Sequence, residues 1–195
     1  MLIKRYLFFL SAMLIAVNSH AFTGGKTGKP DKNIDNAKMN FIRETFYGAV
    51  EDEELTEKLL SYLAELSNNK PDELSPLLLG YYGATETLVA KHAFNPFKKL
   101  SKLNDGLEKI ANAIKQNPDN LEIRFLRFSI LHYIPGFLGF SKEREEDLKS
   151  IYTLLLLKDY AQLEFSIQKG IIEFMLESKR LNEAQTRDLE KLLPG

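Results

Sequence analysis

Residues 95–118 read NPFKKLSKLNDGLEKIANAIKQNP, and their apolar positions decide the fold. Leu100, Leu103, Leu107, Ile110 and Ile114 recur at steps of three, four, three and four. That spacing lines side chains along one face of an α-helix. Asn95-Pro96 is a start signal. An asparagine side chain can accept a first-turn N–H, and a proline in the first helical position lacks only a donor that would have had no partner. Asn117-Pro118-Asp119-Asn120 ends this helix and opens the next.

The same reading extends to both sides. Phe41, Ile42 and Phe46 precede Gly48, which suits a helix stop, and Leu55, Leu59, Tyr62 and Leu66 form the stripe of a second helix. The run Asn68-Asn69-Lys70-Pro71-Asp72 breaks the pattern. Ser75 as cap with Pro76 behind it starts a third helix with the stripe Leu77, Tyr81, Ala84 and Leu88. Gly80 and Gly83 lie beside that stripe, where glycine costs about 0.5–1 kcal/mol relative to alanine, so close approach of a neighbouring helix is expected. Leu121–Tyr133 is the most apolar helix, closed by Pro135-Gly136. Ser141 caps a helix with the stripe Leu148, Ile151 and Leu155, and Leu163, Ile167, Ile171 and Phe174 mark a seventh. Asn182 with Gln185 three residues on resembles a capping box, starting a short helix through Leu193.

No segment alternates with period two, and 11 Gly and 7 Pro are too few for a turn-rich β protein. The expected fold is all-α, with about eight helices grouped by short connections into antiparallel hairpins at 37–66, 75–116, 120–157 and 160–193. The alternative is an irregular helical bundle.

The first 21 residues are of another kind. Lys4 and Arg5 precede the apolar run Leu7–Val17, and Ser19-His20-Ala21 supplies small residues at a cleavage position. This is the layout of a secretory signal peptide, with cleavage expected before Phe22. The run falls short of the roughly 20 apolar residues that a membrane span needs, so no permanent span is expected. Residues 22–36 read as a flexible leader: Gly24, Gly25 and Gly28 follow no strand and lack the ending of a phosphate loop. Residues 37–195 then form one all-α domain, periplasmic or secreted. It must stand on packing alone, because the chain has no Cys with which to form a disulfide.

Of the 195 residues, 44% are hydrophobic, which excludes a disordered chain. There are 26 Lys+Arg against 27 Asp+Glu, a formal charge of -1 that loss of Lys4 and Arg5 takes to -3. Such a balance argues against nucleic acid, whose binding rests on a basic face. The chain holds no His-Glu-x-x-His motif, no Gly-x-Ser-x-Gly elbow and no Rossmann or Walker loop. No cofactor, no metal site and no catalytic residue are expected. His92, near a helix end, reads as a residue suited to the helix dipole.

The residues 106–120, GLEKIANAIKQNPDN, resemble the second helix and exit of a tetratricopeptide repeat. Gly106, Ile110, Ala113 and Pro118 take that family's small, apolar, alanine and proline positions, and Leu79-Gly80 resembles the Leu-Gly of the repeat's first helix. The chain departs from the pattern between Gly80 and Gly106, where it is longer, and at Arg124 and Arg127, where the family prefers an aromatic residue and leucine. The resemblance implies stacked helix pairs with a concave face that takes a protein, a peptide or a small ligand.

Two features point to a contact surface. Arg124 and Arg127 share one face of an otherwise apolar helix, where a charge is costly unless paired. They either pair with acids such as Glu86, Glu145, Glu146 or Asp147, or border a groove that holds an anionic group. The following loop, Tyr133–Phe140, is apolar and aromatic, and it either plugs an end of the bundle or stays exposed as a contact site. Arg124, Arg127, His132, Tyr133, Phe137 and Phe140 are therefore the candidate binding residues. The expected function is that of a non-catalytic, exported binding or assembly module with a protein or peptide partner. The second reading is an anionic-ligand site or enzyme built on Arg124 and Arg127 with His132.

Overall fold

A computed structural model describes residues 35–157 and 163–193. The signal-peptide reading and all of the leader before Asp35 lie outside the described residues. Eight α-helices and no strand occur among those described, so the fold is all-α. They are α1 (Asn36–Ala49), α2 (Glu53–Leu66), α3 (Pro76–His92), α4 (Pro96–Gln116), α5 (Leu121–Tyr133), α6 (Ser141–Leu157), α7 (Phe165–Glu177) and α8 (Glu183–Glu190).

Their starts follow from side-chain capping. Asp35, Asp52, Ser75, Asn95, Asn120 and Asn182 each accept a backbone N–H from the helix they precede, satisfying donors that the first turn leaves open. Asn182 and Gln185 form the reciprocal capping box. The helix that it opens ends at Glu190, earlier than Leu193. After α2 the chain turns through Asn68 and Asn69 with φ of 50° and 61°, a left-handed conformation that asparagine tolerates better than most residues.

The described residues group into two compact units that divide after Asp147, inside α6. In the unit containing residues 35–147, α1 and α2 run antiparallel. Phe41 meets Tyr62 edge-on at 5.3 Å, while the Thr56 hydroxyl donates to the Ala49 carbonyl at 2.8 Å. α3 and α4 are likewise antiparallel: Gly83 abuts Gly106, Lys109 and Ile110, whereas Thr87, further along α3, meets Gly106. α1 and α3 run in the same sense, Phe46 meeting Tyr81 and the Ala49 carbonyl meeting His92 Nε2 at 3.2 Å.

α3 is the centre of this unit. It contacts α1, α2, α4 and α5, and eleven of its 17 residues are buried. The single stripe read from its sequence was too narrow, and Leu77, assigned to it, is only half-buried. A helix buried on nearly every side needs small residues where neighbours approach, and Gly80, Gly83, Ala84, Thr85 and Thr87 provide them. Gly80 faces Ile123 and Leu126 of α5; a methyl group on Gly83 would stand 2.5 Å from the Gly106 carbonyl oxygen. In α4 the seam is Leu107, Ile110, Ala113 and Ile114 with Gly106, while Leu100, the first residue of the expected stripe, is exposed.

In the unit formed by residues 148–157 and 163–193, the core holds Leu148, Ile151, Leu155, Ile167, Ile171, Ile172, Met175 and Leu189. Leu163 precedes α7 and Phe174 is half-buried, so two of the four stripe positions expected there are not core.

The α3–α4 crossing yields a test. Gly83→Ala gains roughly 1 kcal/mol of helix propensity but drives a β-carbon into backbone that cannot retreat. A net loss of about 1–3 kcal/mol, the range for overpacked sites, is expected in urea unfolding. Gly48→Ala, which meets only the tip of the Leu55 side chain at 3.2 Å, is expected to lose less.

Candidate functional site

α5 carries the charged residues singled out in the sequence. Asn120 caps it, accepting from the Ile123 N–H at 2.9 Å, and residues 121–128 are all buried. Arg124 and Arg127 stand one turn apart and both reach Asp147 near the start of α6. Arg127 grips it with two bonds, Nε to Oδ2 at 2.6 Å and Nη2 to Oδ1 at 2.9 Å. Arg124 Nη1 donates to Asp147 Oδ1 at 3.0 Å and to Glu146 Oε1 at 2.8 Å, and its Nε donates to the Pro118 carbonyl at 2.9 Å. Two guanidinium groups thus face two carboxylates. Of the two arrangements open from the sequence, this is the internal ion pair, with Glu146 and Asp147 as its acids. Glu86 instead takes Lys109 at 2.7 Å, and Glu145 lies beside Arg144 at 3.5 Å.

Burial pushes the Asp147 carboxyl above its ordinary value while the two guanidinium groups pull against it. The hydrogen bond from Arg124 holds the more exposed Glu146 below the usual carboxylate range. Burial also opposes the charge on Arg124, but its bonds to Glu146 and Asp147 outweigh that and keep its pKa raised.

His132 does not join this cluster through α5. Five residues separate it from Arg127, about 140° around the helix. Its ring stands perpendicular to that of Tyr133 at 4.8 Å and is tilted against Phe128 at 6.2 Å. The loop beyond is mostly outside. Residues Gly136–Leu138 form a short 3-10 turn that Gly139 closes at φ 90°. Phe137 is 87% exposed, Tyr133 and Leu138 are also exposed, and Phe140 is half-buried. Phe137 therefore does not plug the bundle.

A second buried cluster escaped the sequence reading. Arg43 of α1 holds Glu122 with Nε to Oε1 at 2.7 Å and Nη2 to Oε2 at 2.8 Å, and the Tyr81 hydroxyl of α3 donates to the same Oε1 at 2.6 Å. Glu122 thereby ties three helices together. The signal was available: Glu122 is a charge on the same apolar helix, and the argument that Arg124 and Arg127 require partners applies equally to it. Burial, and then the negative charge of Glu122, raise the Tyr81 hydroxyl well above its ordinary pKa.

No group of three or more His, Asp or Glu among the described residues could hold a metal ion. None of the described helices is long and apolar enough to cross a membrane. No family model, no curated protein and no solved structure matches this chain.

Asp147→Ala takes from buried Arg127 the carboxylate that its Nε and Nη2 grip, while Arg124 keeps Glu146 and the Pro118 carbonyl. The substitution is expected to cost about 3–5 kcal/mol in denaturant unfolding, the cost of breaking a buried pair from one side. Glu145→Ala, next to it on the surface, should lie within about 0.5 kcal/mol of the parent.

Tyr81 gives a pH dependence. Its folded pKa is raised, so its contribution is complete below the unfolded value of about 10 and is lost as pH climbs beyond that value. Urea midpoints should fall above about pH 10. Tyr81→Phe should be less stable at neutral pH, by roughly 1.5–3 kcal/mol for the bond to a charged acceptor, and show a shallower alkaline decline.

Proposed function

We propose that this chain is a non-catalytic, exported binding or assembly module of the cell envelope. It would present a protein or peptide partner with a surface built on tetratricopeptide-like helix pairs. The observation that carries this reading is the Tyr133–Phe140 loop. It is locally ordered by a 3-10 turn and a left-handed glycine, yet it holds Phe137 almost fully in water. An aromatic side chain left out of the core on a capped turn is a good anchor for a complementary pocket.

Two further observations support the repeat-like reading. The hairpins α1–α2 and α3–α4 are antiparallel, and their first helices run in the same sense, as in a stack of helix pairs. Gly106, in the small-residue position of the resemblance, is where α4 closes on Gly83. The anionic-ligand reading loses its support, because Arg124 and Arg127 direct their donors at Asp147, Glu146 and the Pro118 carbonyl.

The test is site-specific capture. A photoactivatable side chain at position 137, introduced into the chain in its own cells, should give one recurrent crosslinked product in the envelope fraction. The same probe at Glu65, on the exposed side of α2, should not give it. Phe137→Ser should lower capture at a neighbouring probe position by tenfold or more while leaving the helical circular-dichroism signal unchanged, since losing a buried aromatic anchor costs about 2 kcal/mol or more. Equal crosslinking from both positions would overturn the assignment.

A further inference from the structure

The turn between α3 and α4 is an apolar knuckle ringed by lysines. Phe94 is 100% exposed and Phe97 84% exposed, and Leu100, one turn further along α4, is also exposed. Core packing does not account for any of the three. The turn that presents them is firmly built. The Ala93 N–H closes α3 on the Val89 carbonyl, and Asn95 Oδ1 accepts the N–H groups of Phe97 at 2.9 Å and Lys98 at 3.2 Å. The two rings are thus held outward at little entropic cost.

The charge along the turn's own sequence has one sign. Between Glu86 and Asp105 the sequence contains Lys91, Lys98, Lys99 and Lys102 and no acidic residue. Lys91 is paired with Glu51, and Lys102 lies 3.6 Å from Glu86 and from Asp105. Among the described residues, Lys99 donates to the Lys91 carbonyl, at 3.3 Å. Lys98 and Lys99 therefore carry no carboxylate partner among the described residues, although the chain as a whole is slightly acidic.

We propose that this knuckle docks on an anionic phospholipid surface, with Phe94, Phe97 and Leu100 entering the headgroup–acyl boundary and Lys98 and Lys99 lying on the headgroups. A short convex tip with fully projecting phenyl rings suits a fluid interface, which closes around any shape, whereas a protein partner would have to supply a matching pocket. Apolar side chains flanked by lysines have the chemistry of peripheral membrane attachment. Each lysine close to an anionic surface contributes roughly fivefold in partition, and long lysine stems let the charge stay in water above buried apolar groups. The attachment is peripheral and independent of the loop at 133–140.

The chain has no tryptophan, so Phe97→Trp places a single reporter at the tip of the full chain. With vesicles of phosphatidylglycerol and phosphatidylcholine, its emission should shift to the blue and be quenched by lipids brominated on the acyl chain. Vesicles of phosphatidylcholine alone should give little of either response. Raising salt from about 0.1 M to 1 M, which shortens the screening length from about 10 Å to 3 Å, should reverse most of the response. Adding Lys98→Ala and Lys99→Ala should weaken partition roughly 25-fold with the helical signal unchanged. The reporter reads its own position, so a chain held on vesicles by its apolar stretch at residues 7–17 while the indole stays in water overturns the proposal. So does an equal response to neutral vesicles, a shift without bromolipid quenching, or a concentration-dependent shift in lipid-free protein, which would assign the tip to a protein surface or a second copy.

Discussion

The close crossing of α3 and α4 governs the larger unit. Where Gly83 and Gly106 meet, neither helix has a β-carbon and each backbone touches the other. That contact fixes how near the two axes lie, and with it the position of every other side chain on α3. Because α3 contacts α1, α2, α4 and α5, its place sets theirs. Interiors pack at crystal density and transmit such constraints without slack.

Apolar contact alone leaves helices able to slide, and buried charges on α5 restrict that freedom. Glu122 receives Arg43 from α1 and Tyr81 from α3, while Arg124 and Arg127 converge on Asp147. Each bond is directional and each group is expensive to leave unpaired. A shifted packing would leave these groups unpaired, so the clusters discriminate against it. The cost is that the most conspicuous cationic groups of the core are already engaged and offer little to a ligand.

The outside of the molecule is the converse. Phe94, Phe97 and Phe137 stand in water on turns that are themselves capped and hydrogen-bonded. Large rings gain by leaving water, so turns that hold them outward define surfaces suited to burial against something else. The charged residues of the α5 core thus face each other, whereas Phe94, Phe97 and Phe137 face solvent at two separate turns.

The helices were legible because capping and periodicity are local. Asn95-Pro96, Ser75-Pro76 and Asn182 with Gln185 act within one turn, and a seam such as Leu107, Ile110 and Ile114 follows from 3.6 residues per turn. The sequence by itself therefore determined the all-α class, the starts of α3, α4, α5 and α8 and the need of Arg124 and Arg127 for acidic partners; Ser141, read as a cap, is instead the first residue of α6, and α7 starts at Phe165, after Leu163. Which acids those are, that Glu122 holds Arg43 across 79 positions, that α3 is enclosed on nearly every side and that Phe137 faces outward were decided only by tertiary structure. Those outcomes depend on which helices become neighbours and how closely glycine lets them approach, and no spacing along one chain segment encodes the distance between two.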